Sequence, residues 1–331
     1  MAAQKACDGR DRQRRWRWGG GGAAAAAGGG PLAAQPPHPA FQEDAGGGSL
    51  LSSSAFFSAF AGASPQQPVV LLDLLAAWPA LQRWRHLDYW SSSAGHRTVP
   101  IERGLAEPAG RSSGIWREEL VLFREFLERD MAGSLREMLG TALPAGSAGG
   151  GGGGGSGGDS SSIAYMAQHG LFEQCPALRD KGDFELPRFV REGLGEEAAE
   201  GAISNIWMGT RGTVTHCHFD SYENILCQVA GFKFVRLFAP GEGGMLYARG
   251  KEGAARQAAQ GNLSAVDVEA EGGGQGAQFP LFEVGRCLDA VLAPGDAVFI
   301  PAGWWHYCRA LSPSISVNFW WTPASAINQV V

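Results

Sequence analysis

The segment THCHFDSYEN, residues 215–224, places two histidines and an aspartate at alternate positions. Side chains two residues apart in a β-strand point to the same face of the sheet. His216, His218 and Asp220 are therefore predicted to share one surface, and all three carry side chains that bind metal ions. Which of the three bind a metal, and what completes the site, depends on the rest of the chain.

The sequence around this segment predicts a fold built from β-strands. From Ile203 onward, short runs rich in β-branched and aromatic residues are separated by Gly or Pro, which is typical of a sandwich or barrel. An irregular Gly-rich stretch at about 241–285 is predicted to connect two halves of this region. The predicted strands are ISNIWMG at 203–209, GTVTHCHF at 212–219, NILCQVAG at 224–231, FKFVRLFAP at 232–240, CLDAVLAPG at 287–295, DAVFIPAG at 296–303, HYCRAL at 306–311 and ISVNFWWT at 315–322.

The region upstream of Ile203 mixes helices and strands. PVVLLDLL at 68–75 and HRTVPIE at 96–102 are predicted strands, and WPALQRWRHLDYWSS at 78–92 is predicted to be helical. REELVLFREFLERDM at 117–131 has apolar residues at 120, 123, 126, 127 and 131, a spacing that predicts one helix across the whole segment.

The chain is predicted to divide into a tail and one domain. Residues 1–65 are of low complexity and are predicted to form a disordered arm. Residues 66–331 are predicted to form the domain, and its first part is an α/β extension. A Gly-rich run at about 144–161 is interpreted as a disordered insertion in a loop, because the segment before it has too little material for a core of its own.

The length, net charge and cysteine content of the chain exclude several classes of protein. The 331 residues are 44% hydrophobic, which allows a substantial core. The net charge of −6 and the isoelectric point near 5.7 argue against a broad nucleic-acid-binding surface. No apolar run reaches the roughly 20 residues of a membrane helix, so no membrane contact is predicted. The six scattered cysteines contain no CxxC pair, which favours reduced thiols over a zinc ribbon or a disulfide framework.

The arm contains the basic and aromatic run RRWRW at 14–18. Arg and Trp side chains in this arrangement can contact nucleic acid through charge and stacking, although a solvated tail or targeting arm is the simpler interpretation. The Arg- and Ala-rich composition leaves an organelle transit peptide open, but Asp8 and Asp11 count against it.

A third metal ligand is sought among the seven histidines of the chain. His306 lies in FIPAGWWHYC at 299–308, a strand–turn–strand pattern, and follows His218 by 88 residues. Two histidines and one carboxylate on one face of a metal leave coordination positions open, which suits non-haem Fe(II) and oxygen chemistry. A closed structural zinc site would need four protein ligands.

Two other sequence features bear on this ligand set. Binuclear hydrolases of the β-lactamase type use HxHxDH, but Ser221 stands where the last His is required, and only His306 follows His218. Lys233, in the apolar run GFKFVRLF at 231–238, is costly to bury without an anion. The lysine either faces solvent or clamps a small carboxylate, and Thr215 can add a hydroxyl donor.

At this point the sequence resembles the JmjC-domain family. TVTHCHFDSYENILCQVAGFKFVRLFAPGE at 213–242 and LAPGDAVFIPAGWWHYCRALSPSISVNFWW at 292–321 are similar to the two halves of its domain. Upstream segments are similar to the small subgroup that includes JmjC-domain-containing protein five, so the likeness covers about residues 67–322 apart from the Gly-rich insertion. The resemblance implies a mainly β double-stranded β-helix, a cupin-like jelly roll with N-terminal helices packed around it.

The resemblance also implies roles for individual residues. The Fe(II) ligands fall on His218, Asp220 and His306, and the lysine that pairs with the distal carboxylate of 2-oxoglutarate falls on Lys233. His216 stands where the family has proline, so it is predicted to pack or hydrogen-bond and not to bind metal. Further co-substrate contacts fall on Thr215, Asn224, Tyr165 and Asn318, and the pocket or its rim is implied for Trp207, Gln168 and Trp320.

The implied enzyme is a dioxygenase that uses Fe(II), 2-oxoglutarate and O2. Its expected reaction is hydroxylation of a protein side chain, with arginine suggested by the subgroup. Histone lysine demethylation uses the same chemistry on an N-methyl group and stays open, as does hydroxylation of tRNA. A binding module without activity is disfavoured because the ligand set is intact. The expected partner is a protein or peptide, such as a histone or ribosomal protein, and the expected compartment is the nucleus or cytoplasm, with the nucleus favoured.

Overall fold

The computed structural model describes most of the region predicted to be ordered and parts of the arm. The described residues form two β-sheets and several short helices. They are 17–18, 41–42, 53–61, 66–105, 117–132, 162–248, 261–270 and 276–323. The predicted insertion at about 144–161 lies outside them, as does most of the arm.

The strands are short, as their punctuation by Gly and Pro predicts. In chain order they are β1 (Arg17–Trp18), β2 (Phe41–Gln42), β3 (Val69–Leu72), β4 (Thr98–Leu105), β5 (Arg117–Leu122), β6 (Ser162–His169), β7 (Ile203–Gly209), β8 (Val214–His218), β9 (Glu223–Ala230), β10 (Lys233–Phe238), β11 (Leu288–Leu292), β12 (Ala297–Ile300), β13 (Trp305–Ala310) and β14 (Ser314–Trp321).

Helices occupy mainly the region before β7. In chain order the helical segments are Ser53–Phe56 continued by Phe57–Ala61, Ala80–Arg83, Leu87–Ala94, Phe123–Phe126 continued by Leu127–Met131, Leu171–Gln174, Pro176–Arg179, Arg188–Leu194 and Glu196–Glu200, followed by the short turns Pro240–Gly244 and Val284–Arg286. None of the described helices is long and apolar enough to cross a membrane.

The strand order identifies a jelly roll. One sheet has the order β1-β11-β10-β13-β8, and the other has β2-β3-β12-β9-β14-β7-β6-β4-β5. The eight strands from β7 to β14 alternate between the two sheets except at β10 and β11, which pair with each other in the five-stranded sheet. Early strands thereby pair with late ones, which is the double Greek-key pattern of a jelly roll. The predicted mainly β, cupin-like fold is confirmed, and all eight strands predicted from Ile203 onward are present.

Three apolar layers hold the two sheets and the helices together. Between the sheets lie side chains such as Leu226, Val235 and Val298. The outer face of the nine-stranded sheet packs against the helices in the largest cluster, which includes Trp84 and Phe299. Alternation along the strands produces this division, since neighbouring residues point to opposite layers.

The predicted connection at 241–285 covers the outer face of the five-stranded sheet in its described parts. There it packs on a third apolar cluster that includes Trp305 and Tyr307 of β13. Arg309 donates hydrogen bonds to both carboxylate oxygens of Glu269, at 2.6 and 2.9 Å, and the Tyr307 hydroxyl donates to the same carboxylate. The connection is therefore attached to the back of the strand that carries His306.

The helix predicted over residues 117–131 is wrong in its first part. Arg117–Leu122 form β5, which pairs antiparallel with β4, and the helical structure begins only at Phe123. Leu120, counted as part of an apolar helix face, is 73% exposed, whereas Phe123 and Phe126 are buried. Pairing with β4 outweighs the local periodicity because the edge of the sheet offers six residues of backbone hydrogen bonding.

The ordered domain also begins earlier than residue 66. Helical residues 53–61 lie within the range assigned to the disordered arm, and Phe56 and Phe60 are fully buried. The ring of Phe56 meets those of Phe189 and Phe299 edge-on, with ring centroids 4.8 and 5.0 Å apart. Two dipeptides further upstream pair with sheet edges as β1 and β2.

Replacing Phe56 tests whether the 53–61 helix belongs to the domain. We expect Phe56→Ala to lower the free energy of unfolding by about 3–5 kcal/mol, because it leaves a cavity in a close-packed aromatic cluster. Chemical denaturation followed by tryptophan fluorescence measures this. The exposed control Leu120→Ala should change stability by less than about 0.5 kcal/mol. If Phe56→Ala were as stable as the unsubstituted protein, the 53–61 helix would not be part of the folded domain.

Candidate metal centre and ligand pocket

Antiparallel pairing brings the predicted metal ligands together. His306 on β13 stands directly opposite His218 on β8, although 88 residues separate them in the chain. The ladder shifts register between His306 and Cys308, a bulge of the kind that often re-aims side chains beside a site. The two imidazole rings lie with their centroids 4.2 Å apart.

Asp220 completes a compact cluster. Its Oδ2 lies 3.7 Å from Nε2 of His218 and 3.6 Å from Nε2 of His306. The three ligand atoms all lie within 4.8 Å of one another. Asp220 follows the end of β8 by two residues, and its carbonyl oxygen accepts a hydrogen bond from the Gly303 backbone N–H at 2.8 Å. The loop after β8 is thus attached to the turn before β13.

Backbone carbonyls orient both imidazole rings. Nδ1 of His218 lies 2.8 Å from the His216 carbonyl oxygen, and Nδ1 of His306 lies 3.1 Å from that of Trp304. A carbonyl oxygen only accepts hydrogen bonds, so each Nδ1 carries the proton and each Nε2 presents its lone pair to the cluster. This tautomer is the one that metal-binding histidines adopt when a second group holds the far side of the ring.

The electrostatics of the cluster favour a positive charge at its centre. Burial lowers the pKa of His306 to about 4, and the neighbouring His218 adds to the effect. Burial opposes protonation of His218 as well, but the Asp220 carboxylate outweighs it and raises the pKa of that ring. The pKa of Asp220 is lowered because attraction to the two imidazoles outweighs its burial.

The donor set fits a divalent metal ion. Oδ2 of Asp220 is buried and has no hydrogen-bond partner among the described residues, which is costly unless a cation accepts its charge. Two imidazole nitrogens and one carboxylate on one side leave open coordination positions, the arrangement associated with non-haem Fe(II). His216 is exposed and is not one of the three clustered residues, and its carbonyl oxygen orients the ring of His218.

A pocket opens beside the cluster and lies between the two sheets. Ten of the eleven residues named from the sequence line it, and the wall also includes Leu226, Ile300 and Cys308. The full lining is Tyr165, Trp207, Thr215, His218, Asp220, Asn224, Leu226, Lys233, Ile300, His306, Cys308, Asn318 and Trp320.

Gln168 is the one named residue that the structure does not bring to the pocket. It is exposed, and its φ of 44° places it at the register shift in β6 between Met166 and His169. An irregularity of this kind turns the side chain away from the face that simple alternation predicts.

Three pocket residues were missed in the sequence. Leu226 follows Asn224 by two residues, and Cys308 follows His306 by two. Ile300 stands opposite Asn224 in the ladder between β12 and β9. The alternation rule applied to the named residues would have found the first two, whereas the third depends on strand pairing.

Lys233 is an isolated cation inside this pocket. It is 3% exposed, and among the described residues no carboxylate lies within ion-pair distance of its Nζ. Burial lowers the pKa of Lys233 to about 8 and outweighs the opposing effect of Cys308. A buried ammonium group without an anion is unfavourable, so this end of the pocket is suited to an anionic ligand.

Hydrogen bonds preorganise the polar wall of the pocket. The hydroxyl groups of Tyr165 and Thr215 lie 3.2 Å apart. Nε1 of Trp207 donates to Oδ1 of Asn318 at 2.8 Å, and Nδ2 of Asn318 donates to Oδ1 of Asn224 at 3.2 Å. The two amides are thus held in one orientation by an indole N–H, which can only donate.

Aromatic rings form the rim. The ring of Trp320 stacks on that of Tyr222, with centroids 5.6 Å apart and planes inclined by 6°. Trp320 is 8% exposed and Tyr222 is 38% exposed, so the stack extends from the pocket wall to the surface. Nε1 of Trp320 is buried and has no hydrogen-bond partner among the described residues. It offers a donor to a ligand that carries an acceptor.

Comparisons with known proteins agree with this fold. The model of the Cupin-like domain family matches residues 53–327, which include the 53–61 helix and the strands from β3 to β14. The chain is 35% identical over 256 residues to Jumonji C domain-containing protein 5 of Drosophila melanogaster, covering 77% of this chain and 54% of that protein. It is 35% identical to lysine-specific demethylase JMJ30 of Arabidopsis thaliana over 258 residues, 78% of this chain and 50% of the relative.

A vertebrate relative shows the same extent of similarity. Lysine-specific demethylase 8 of Xenopus tropicalis is 33% identical over 258 residues, which cover 78% of this chain and 48% of that protein. The chain therefore spans about half the length of the curated relatives that it matches. The family match over residues 53–327 spans all the residues that line the pocket.

The isolated charge of Lys233 predicts a pH-dependent cost to stability. The folded state lowers the lysine pKa from 10.5 to about 8, so the penalty is complete below pH 8 and disappears as the pH approaches 10.5. Without added ligand, Lys233→Met should stabilise the protein at pH 7 by up to roughly 3 kcal/mol, and the gain should shrink as the pH rises above 8. Urea unfolding at several pH values measures the difference.

The exposed Lys181 provides the control for this prediction. Lys181→Met should change the free energy of unfolding by less than about 0.5 kcal/mol, with no trend between pH 7 and 9.5. If Lys233→Met destabilised the protein at pH 7, Lys233 would have an anionic partner in the ligand-free protein.

Proposed function

Because this chain belongs to the Cupin-like domain family, together with the JmjC-domain proteins that it resembles, we propose that it is an Fe(II)- and 2-oxoglutarate-dependent dioxygenase. One observation carries the proposal. A two-histidine, one-carboxylate cluster and an unpaired buried lysine line the same pocket. The first suits a metal with open coordination positions, and the second suits the far end of a small dicarboxylate.

His218, Asp220 and His306 would hold the metal. The carbonyl oxygens of His216 and Trp304 keep the two Nε2 lone pairs directed at it, so no proton has to leave His306 before binding. When bound, Fe(II) and 2-oxoglutarate would supply the electrons that activate O2 for the hydroxylation of a C–H bond. The protein contributes the ligand geometry and the surroundings in which that oxidation is confined.

The polar wall would hold 2-oxoglutarate in one orientation. Lys233 pairs with its distal carboxylate, and that ion pair offsets the cost of burying the ammonium group. The hydroxyl groups of Tyr165 and Thr215 are placed to donate to the co-substrate, and the amides of Asn224 and Asn318 are placed beside it. Binding should raise the pKa of Lys233, so affinity should fall as the pH rises above about 8.

The apolar walls would exclude water and shape the entrance. Leu226 and Ile300 lie between the sheets, and Trp207 packs near Tyr165 with ring centroids 6.1 Å apart. Trp320 lines the pocket and carries an unpaired N–H, so we assign it to the side where the substrate enters. Gln168 is exposed and has no part in this proposal.

The substrate we propose is a protein or peptide side chain, with arginine as the residue hydroxylated. The similarity to the subgroup of Jumonji C domain-containing protein 5 supports this choice. Histone lysine demethylation is the second candidate, because two of the similar relatives are named lysine-specific demethylases. A tRNA substrate is disfavoured by the net charge of −6. The choice of nucleus over cytoplasm stays a prediction.

Removing the metal ligands should abolish both metal binding and co-substrate turnover. We expect His218→Ala/Asp220→Ala to lose Fe(II)-dependent conversion of 2-oxoglutarate to succinate, because one imidazole cannot retain the ion. Lys233→Ala should bind metal like the unsubstituted protein but bind 2-oxoglutarate at least about tenfold more weakly. Calorimetric titration and a succinate assay measure these changes. Turnover that survived in the double variant would show that the ligand set is different.

Product masses separate the two candidate reactions. We expect incubation with Fe(II), 2-oxoglutarate and a library of arginine- and methyl-lysine-containing peptides to add one oxygen atom to an arginine peptide. The change should require the intact His218 and Asp220 pair. Tandem mass spectrometry locates the modified residue. Loss of a methylene unit from a methyl-lysine peptide, with no oxygen gained elsewhere, would favour demethylation instead.

A further inference from the structure

Glu223 is a buried carboxylate close to the three metal-ligand residues, and the proposed reaction gives it no role. It begins β9, three residues after Asp220, and is 2% exposed. Each of its oxygens accepts one hydrogen bond. Oε1 accepts from Nε2 of Gln66 at 2.6 Å, and Oε2 accepts from the backbone N–H of Ala302 at 3.1 Å.

Both hydrogen bonds lead to the turn that precedes His306. Ala302 lies within that turn, where Gly303 adopts a φ of 80° that favours glycine. The carbonyl oxygen of Gln66 accepts a hydrogen bond from Nε1 of Trp304 at 3.2 Å. The carbonyl of Trp304 in turn accepts from Nδ1 of His306. Three hydrogen bonds, linked through the covalent structure of Gln66 and Trp304, therefore connect Glu223 to the imidazole of His306.

The same turn contacts the second metal ligand. The backbone N–H of Gly303 donates to the carbonyl oxygen of Asp220 at 2.8 Å. The turn at 301–304 thus contacts both His306 and Asp220. Glu223 accepts a hydrogen bond from Ala302 of the same turn. Gln66 also donates to the carbonyl of Ala61, so the N-terminal helix is attached to this arrangement.

We propose that Glu223 is a positioning residue that, through Ala302 and the Gln66–Trp304 hydrogen bonds, fixes the 301–304 turn and thereby sets the affinity of the site for its metal. The inference rests on the proposed function, since it takes His218, Asp220 and His306 as the metal ligands. Burying a carboxylate is costly, and the charge-assisted hydrogen bonds from Gln66 and from Ala302 in the turn offset that cost. Weakening either bond lets the Trp304 carbonyl move, and the orientation of His306 moves with it.

Glu223→Gln tests the proposal with little change of shape. The amide keeps one acceptor oxygen but presents an NH2 group to a second N–H donor, so one of the two hydrogen bonds is lost. We expect the dissociation constant for Co(II), a spectroscopic substitute for Fe(II), to rise about 3- to 10-fold, at the lower end of the effects seen for groups that orient metal ligands. Titration of the Co(II) absorption bands measures this in the full chain.

A second readout separates positioning from general destabilisation. At saturating Co(II), Glu223→Gln should bind 2-oxoglutarate within about twofold of the unsubstituted protein, because Lys233 holds the far carboxylate independently of the turn. Trp304→Phe, which keeps a ring but removes the N–H donor to Gln66, should weaken Co(II) binding in the same way. It serves as the test if Glu223→Gln fails to fold.

Asp296 offers a matched control. It is also a buried carboxylate that accepts two backbone N–H bonds, from Asp73 and Ala293, and it precedes β12 at the end away from the turn. Asp296→Asn should leave the Co(II) affinity unchanged even where it lowers thermal stability. If Asp296→Asn and Glu223→Gln weakened Co(II) binding equally, the effect would be general and the inference would be wrong.

The remaining outcomes distinguish this inference from the proposed function. If Glu223→Gln and Trp304→Phe bound Co(II) like the unsubstituted protein, the positioning role would be overturned and the dioxygenase assignment would stand. If the unsubstituted protein did not bind Co(II), or if its Co(II) binding persisted in His306→Ala, the proposed metal site itself would be wrong. Selective loss of Co(II) affinity in Glu223→Gln and Trp304→Phe, with Asp296→Asn unaffected, supports the proposal.

Discussion

The antiparallel pairing of β8 with β13 is the constraint on which the site depends. It sets His306 directly opposite His218, and the loop after β8 then brings Asp220 to within 3.7 Å of both rings. Neither strand holds this register alone. β13 packs against the apolar layer between the sheets on one face and against the connection on the other. The rigidity of the jelly roll therefore holds the metal-ligand residues in place.

Two buried charged groups in the pocket, one carboxylate and one ammonium group, are each suited to binding a ligand of opposite charge. Asp220 is a carboxylate without a hydrogen-bond partner at Oδ2, and Lys233 is an ammonium group without a carboxylate among the described residues. Folding must meet the cost of both. A metal at one and a carboxylate at the other would remove these costs, which links the stability of the protein to its ligands. Glu223 differs, because its carboxylate already accepts hydrogen bonds from the Gln66 side chain and from the Ala302 backbone N–H.

Much of the fold could be predicted because strands of this type carry strong local signals. The eight strands after Ile203 are marked by β-branched residues and by Gly or Pro at their ends. Prediction failed at Arg117–Leu122, where an edge of the sheet captured a segment of helical periodicity, and at Gln168, where a register shift changed the direction of the side chain. The burial of Phe56 was missed because its partners Phe189 and Phe299 are far away in the chain.

The sequence by itself determined the candidate ligands, the lysine within an apolar run and the alternation of strands, since these depend on residue type and on spacing along one strand. Only the tertiary structure decided that Lys233 is buried, that Leu226, Ile300 and Cys308 complete the wall, and that Glu223 contacts the turn before His306. Strand register, bulges and contacts between distant segments decide such matters. They arise from packing between sheets, which no local pattern encodes.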